Sequence, residues 1–246
     1  MRFATSSLFL GGSFNPPHNG HMRLAIECAE VFCAARLYFI PCALPPHKSA
    51  ASLLPFDLRC ALLRAAIDSM EGAEPRERLA VCELENERAG PSYTVDTLRL
   101  LAKRQKDGRP LFVLGGEDYA RLDSWRDWQS LPEHADLLVL PRPPSGPGDF
   151  QDHSARLWPG ARPADAEERR SLGLPSRISQ VCLLPGGGKM LFMPQPMLDI
   201  SSSLVRERWL AGRDLNFLLP GAVRRLLAEN AELLNKTWRA VFKSGS

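Results

Sequence analysis

Apolar residues run along this chain in two alternating rhythms. Short continuous runs at Ser7-Leu8-Phe9-Leu10, Leu37-Tyr38-Phe39-Ile40, Leu79-Ala80-Val81-Cys82, Leu111-Phe112-Val113-Leu114 and Leu137-Leu138-Val139-Leu140 have the length and residue types of buried strands. Between most of them the apolar positions recur every three or four residues, as on one face of a helix. Met22, Ala25, Ile26 and Ala29 form one such stripe, Leu58, Ala61, Leu62, Ala65 and Ala66 a second, and Val95, Leu98, Leu101 and Ala102 a third. This alternation predicts an α/β fold, a doubly wound parallel sheet with helices on both faces. In such a sheet the ligand crevice lies beyond the carboxyl ends of the strands, where Gly11, Pro41, Gly115 and Pro141 all fall.

The character changes after Pro143. Pro143, Pro144, Gly146, Pro147 and Gly148 lead into a charged stretch with Asp165, Glu167, Glu168, Arg169 and Arg170, which reads as a surface insertion over 143–180. Gly186-Gly187-Gly188 precedes another apolar run, Met190 to Met193. A hairpin turn is expected there rather than a phosphate loop, because no helix start follows. The chain is expected to form a single domain over 1–235 with a frayed tail over 236–246. There is no internal repeat.

Composition narrows the class only a little. The 246 residues suffice for a full core, and 44% hydrophobic with 24% charged residues is ordinary for a globular protein. No apolar run approaches the roughly 20 residues that span a bilayer, and the N-terminus lacks a secretory pattern, so a cytoplasmic location without membrane association is expected. A dispersed net charge of +3 argues against nucleic acid and suits a small anionic substrate. The six cysteines contain no Cys-x-x-Cys pair and read as reduced thiols.

The chemistry concentrates in Gly11-Gly12-Ser13-Phe14-Asn15-Pro16-Pro17-His18-Asn19-Gly20-His21, a glycine turn between a strand and a helix. Gly11 and Gly12 let the main chain approach a bulky anion, with its N–H groups pointing inward. His18 and His21, three residues apart at the start of a helix, share one side of its first turn near the positive end of its dipole. A second anion cradle is predicted at Ile200-Ser201-Ser202-Ser203-Leu204-Val205-Arg206. There, serine hydroxyls and free N–H groups at a helix start face outward, and Arg206 returns to the same side one turn later.

Together these two motifs resemble the paired signatures of the nucleotidyltransferase superfamily of adenylyltransferases. Three further blocks resemble those of bacterial nicotinate-nucleotide adenylyltransferases: Ile40 to Lys48, Pro91-Ser92-Tyr93-Thr94 with Thr97-Leu98, and Gly115-Gly116-Glu117-Asp118 with Trp125. The resemblance covers about 7–142 and about 190–234. It implies a Rossmann-like fold and adenylyl transfer from ATP to nicotinate mononucleotide, yielding deamido-NAD and pyrophosphate in NAD biosynthesis.

Carried over residue by residue, the resemblance puts Gly11, Gly12, Ser13, Phe14, His18, His21, Gly115, Asp118, Ile200, Ser201, Ser202, Ser203 and Arg206 at ATP. It puts Ser13, Asn15, Lys48, Tyr93, Thr94, Trp125 and Arg142 at the mononucleotide. His18, His21, Lys48 and Arg206 are the implied catalytic groups. Tyr93 and Thr94 would read the nicotinate carboxylate through main-chain N–H groups, and Trp125 would stack on the pyridine ring. Mg²⁺ is expected on the ATP phosphates, with no metal held by the protein itself. Two departures stand out: Asn15 where relatives often carry Asp, and Cys42 where they carry a polar residue such as Asn. The sequence leaves open whether the acceptor is the acid or the amide mononucleotide. It also leaves open homo-oligomerisation and whether the chain is instead a nucleotide-binding regulator that does not turn over.

Overall fold

The structure is a computed structural model that describes residues 7–33, 36–46, 52–105, 108–141, 147–196 and 198–242. Its strands are β1 (Ser7–Gly12), β2 (Arg36–Pro41), β3 (Leu79–Val81), β4 (Leu111–Gly115), β5 (Asp136–Leu140), β6 (Arg162–Pro163), β7 (Gln180–Leu183) and β8 (Lys189–Phe192). They form one sheet in the order β3-β2-β1-β4-β5-β8-β7-β6. The order runs down to β1 and then jumps to β4, as in doubly wound dinucleotide-binding sheets. The reversal falls at β1, whose carboxyl end leads into the glycine turn.

By their internal packing the residues form two compact units. One comprises Met1–Leu10, Glu27–Leu37 and Tyr93–Pro196, the other Gly11–Ile26, Tyr38–Ser92 and Met197–Ser246.

In the first unit β1, β4, β5 and β8 pair in parallel, with Leu8 opposite Leu111, Phe112 opposite Leu137 and Leu138 opposite Leu191. Every residue of β5 is buried. That is the reason its sequence is continuously apolar after Asp136 rather than alternating: helices cover both faces of a parallel strand. At the other end β7 and β8 form an antiparallel hairpin, with Val181 opposite Leu191, and β6 pairs antiparallel with β7. The three glycines make the expected hairpin turn. Gly186 and Gly187 have φ of +83° and +85°, and the Leu184 N–H donates to the Gly188 oxygen at 2.9 Å. A Cβ on Gly188 would lie 2.4 Å from the Pro132 oxygen, so close approach excludes any side chain there.

The 143–180 stretch is more than a surface excursion. It contains the helix Pro147–Leu157, whose Phe150, Ser154 and Leu157 are buried together with Trp158 just after it. The spacing i, i+4, i+7, i+8 puts them on one face. Phe150 packs at 5.7 Å from the Tyr119 ring and 4.9 Å from Phe192, and the Tyr119 hydroxyl is 2.8 Å from both the Phe150 oxygen and Ser154 Oγ. The proline and glycine content ahead of this helix masked its short apolar stripe.

The second unit carries β3 and most of β2, with the helices Phe56–Asp68, Ser202–Leu210, Gly221–Glu229 and Ala231–Phe242. The expected frayed tail from Lys236 is helical as far as Phe242. Trp238 is buried with its ring perpendicular to Trp209, centroids 6.1 Å apart, so an aromatic anchor one turn after Leu234 holds the end down. The helix Phe56–Asp68 also departs from its expected stripe. Its buried positions are Arg59, Cys60, Leu62, Leu63, Ala66 and Ile67, because an arginine turns inward where hydropathy alone puts it in solvent.

Candidate active site

The glycine turn lies in the second unit. Phe14 has a φ of +47° and is fully buried, its ring edge-on to His21 at 5.0 Å and to Phe39 at 5.6 Å. A Cβ on Gly12 would sit 3.0 Å from the Phe14 ring, so the bare glycine lets this aromatic fold back beneath the turn. The Gly12 oxygen accepts from the Cys42 N–H at 2.8 Å, continuing the strand pairing one residue past β2.

The helix Asn19–Phe32 starts immediately after His18. His18 and His21 stack with ring centroids 3.6 Å apart, and the His18 N–H donates to His21 Nδ1 at 3.2 Å. An accepting Nδ1 carries no proton, so the neutral His21 ring presents Nε2–H, a donor suited to a phosphoryl oxygen. Gly20 suits the same packing: a Cβ there would lie 3.0 Å from His18 Nδ1, a contact the imidazole would have to yield to. The dipole of this helix favours negative charge at the two imidazoles.

Asn15, expected to face the mononucleotide, is buried and spends its amide internally. Nδ2 donates to the Ser52 oxygen at 2.7 Å, and Oδ1 accepts from the Leu54 N–H at 3.1 Å. The two bonds need one donor and one acceptor, which an amide supplies and an ionised carboxylate does not. The departure from Asp therefore has a local physical reason.

The serine-arginine turn lies in the same unit, at the start of the helix Ser202–Leu210. Of its three serines only Ser203 is exposed as expected, and the other two hydroxyls are engaged at half-buried positions. Ser201 Oγ accepts from the Leu204 N–H at 3.1 Å as an N-cap, Ser202 Oγ donates to the Pro16 oxygen at 2.8 Å, and Ser203 Oγ accepts from Arg206 Nη2 at 3.0 Å. Arg206 Nη1 donates to the Asn15 oxygen at 2.8 Å, and burial lowers its pKa from the ordinary arginine value. Two turns remote in sequence are thus joined through Ser202 and Arg206. The Ser202 and Ser203 N–H groups at the start of this helix, which an α-helix leaves without helical acceptors, and the Arg206 guanidinium are the donors of this turn.

Beneath the glycine turn lies Arg59, which hydropathy patterning missed. It is 0% exposed, with Nε donating to the Leu54 oxygen at 3.0 Å, Nη1 to the Ser13 oxygen at 2.9 Å and Nη2 to the Ala43 oxygen at 3.5 Å. The signal that could have found it is its position three and four residues before Leu62 and Leu63, on their face. The loop after β2 is held from its other side as well. The Ala43 N–H donates to Glu85 Oε2 at 3.3 Å and the Leu44 N–H to Ser92 Oγ at 3.2 Å. Burial, and then the Glu85 carboxylate, push the Cys42 thiol up to about 12, so this residue contributes a neutral thiol. Lys48 and His47 lie outside the described residues.

In the first unit, Tyr93 precedes the helix Thr94–Arg104 in extended conformation, which leaves the first N–H groups of that helix without helical acceptors. The Tyr93 ring lies under the Arg126 guanidinium, 4.5 Å from its centroid, a stacking partner absent from the sequence expectations. Trp125 is half-exposed after a short 3₁₀ turn, and Gly115 ends β4 with Asp118 exposed in the helix that follows. His153, without an expected role, points Nε2 at the Tyr119 oxygen at 3.0 Å. Arg142 lies outside the described residues. Among the described residues no group of three or more His, Cys, Asp or Glu converges, and no helix is long and apolar enough to cross a membrane.

The cytidylyltransferase-like family profile matches residues 9–208. A protein of Maridesulfovibrio salexigens named "probable nicotinate-nucleotide adenylyltransferase" is 30% identical over 229 residues, covering 93% of this chain and 97% of its own. One of the same name from Syntrophotalea carbinolica is 35% identical over 218 residues, covering 89% and 92%. Among solved structures, the nicotinic acid mononucleotide adenylyltransferase of Plasmodium falciparum complexed with NaAD superposes with a TM-score of 0.66 at 16% identity, covering 91% and 95%. That similarity carries the fold.

Proposed function

Because the chain belongs to the cytidylyltransferase-like family, among the nicotinate-nucleotide adenylyltransferases, we propose that it transfers the adenylyl group of ATP to nicotinate mononucleotide, releasing pyrophosphate. The observation that carries this reading is the Arg206 to Asn15 bond, which joins the histidine turn and the serine-arginine turn at one place in the fold. Two helix starts, two imidazoles and a guanidinium make a site for several phosphates in series.

The mononucleotide phosphate is ionised at neutral pH and attacks the α-phosphorus directly. A new P–O bond forms there, the α–β bridge breaks, and pyrophosphate departs with the electron pair. No proton has to be removed from the nucleophile, so positioning and charge neutralisation supply the rate. His18 and His21 donate to the triphosphate, His21 nearest the α-phosphate, and Arg206 neutralises the pyrophosphate as charge builds. Ser13 lies between the nucleotides. Lys48 and Arg142 meet the mononucleotide, Thr94 and Tyr93 offer main-chain N–H groups to its carboxylate, and Trp125 offers a ring. Asp118 and Gly115 belong to the adenosine end. Mg²⁺ would be carried by the ATP phosphates and would help neutralise them. Six free cysteines support a reducing, cytoplasmic setting.

The test is pyrophosphate release with ATP, Mg²⁺ and, in turn, nicotinate mononucleotide, nicotinamide mononucleotide and phosphopantetheine. The acid should give the highest kcat/KM. An equal or greater value with the amide overturns the acceptor assignment, and binding of ATP without release from any acceptor overturns the reaction.

A further inference from the structure

A fully buried guanidinium is an expensive way to fill space, since a Met or Leu of similar length would pack there without desolvating a charge. Arg59 must therefore be judged by what its donors do. Among the described residues they go to the main-chain oxygens of Ser13, Ala43 and Leu54 rather than to a carboxylate. Ser13 is the residue of the glycine turn placed between the two nucleotides, and Ala43 and Leu54 flank the segment that contains Lys48. All three acceptors lie on irregular backbone outside the strands and helices, and a planar fork can satisfy several such oxygens in one fixed geometry.

The neighbours reinforce the same three points. Asn15 ties Ser52 and Leu54 to the glycine turn, and Glu85 takes the N–H of Ala43 while Arg59 takes its oxygen. Glu85 is also close enough to Arg59 to interact with it electrostatically, which offsets part of the cost of burying the charge. The arrangement is a clamp on backbone, and every strand of it ends at a loop of the proposed site.

We propose that Arg59 is a positioning residue for adenylyl transfer, holding Ser13, Ala43 and Leu54 in the geometry that aligns the mononucleotide phosphate with the α-phosphorus. This rests on the adenylyl-transfer reading. It touches neither substrate and acts through the backbone of Ser13, Ala43 and Leu54. Its loss should therefore fall on alignment, and so on kcat and on the mononucleotide KM, more than on ATP binding.

The variants are Arg59→Lys, which keeps the charge and loses the fork, and Arg59→Met, which loses both. For each, hydrogen exchange over peptides covering 13–15, 43–46 and 52–54 is measured alongside kcat and the two KM values. Both variants are expected to lower kcat about 100-fold, the scale of a misplacement of about 1 Å, with the ATP KM within about 3-fold of wild type. Exchange at the three loops should rise about 10-fold without a change elsewhere. Wild-type turnover in Arg59→Lys would overturn the proposal, since charge alone would then suffice. So would faster loop exchange with unchanged kcat, or faster exchange throughout the protein in Arg59→Lys, which marks a residue holding the fold. If the wild-type enzyme is inert toward nicotinate mononucleotide, the proposed reaction fails instead, and loop exchange alone then decides whether Arg59 holds the loops.

Discussion

Arg206 donates from Nη1 to the main-chain oxygen of Asn15 at 2.8 Å, although the two residues are 191 positions apart. The bond fixes a guanidinium against the glycine turn at the only helix start that also sends a hydroxyl, that of Ser202, to the oxygen of Pro16 among the described residues. Replacing Arg206 with Ala should lower kcat/KM by at least ~100-fold, the cost of losing one preorganised donor to developing charge. Arg206→Lys should recover little of it, because an ammonium cannot bond Asn15, Ser203 and a phosphate in one plane. Steady-state pyrophosphate release measures both.

His21→Ala should lower kcat by at least ~100-fold while leaving the thermal midpoint within a few degrees of wild type. The ring is half-buried at the start of its helix, so the variant gives up the His18 bond, the His18 stack and an edge contact to Phe14 rather than a fully buried side chain. Near-normal turnover in this variant would remove His21 from the reaction.

Gly12→Ala places a methyl 3.0 Å from the Phe14 ring, which is wedged between His21 and Phe39 and cannot swing aside. The expected result is a loss of roughly 1–3 kcal/mol of stability from overpacking together with a fall in kcat, because the displaced ring carries the edge contact to His21. Denaturant unfolding and turnover on the same preparation show whether the two losses travel together.

Gly188→Ala is the complementary case. The new methyl would meet main-chain atoms of Pro132, 2.4 Å away at the nearest, and neither backbone has slack. It should destabilise by more than ~2 kcal/mol, at the upper end for a single methyl, while kcat of the folded fraction stays near wild type. A drop in kcat without a drop in stability would contradict the separation of this turn from the chemistry.

Stability should fall in alkali. Burial pushes the Cys42 thiol up to about 12 and Cys60 up to about 11, from an ordinary value of 9.0, and raises Cys28 and Tyr119 as well. These groups are held neutral in the folded protein and ionise sooner in the unfolded chain. Their stabilising contribution is therefore complete below pH 9 and is lost as pH rises from there through 11 and 12. Under reducing conditions the thermal midpoint should drop by on the order of 5 °C between pH 8 and 10.5, and less in a Cys42→Ala variant.

Much of this protein is legible along the chain. The five apolar runs are strands β1 to β5, most plainly β4 and β5, which are buried almost throughout and so apolar almost throughout, and the histidine and serine-arginine motifs declare themselves by spacing within single turns. Where sequence patterning stopped short, the reason is long-range packing. Arg59 looks like a solvent-facing residue until the carbonyls of Ser13 and Ala43, remote in sequence, join that of Leu54 as its partners, and the helix Pro147–Leu157 hides behind prolines until Tyr119 and Phe192 give its narrow apolar stripe something to pack on.

The serines show the division most clearly. Hydropathy and motif determine that Ser201 to Ser203 open a helix, because a hydroxyl at such a position caps free N–H groups whatever the rest of the chain does. Which way the Ser202 hydroxyl turns was decided by tertiary contact, toward Pro16, whereas Ser203 meets Arg206 one turn on within its own helix. Local sequence sets backbone propensity over a few residues. Partners 186 and 191 positions away in sequence become neighbours only when the core closes, and that closure is what turned two separate anion cradles into one candidate site.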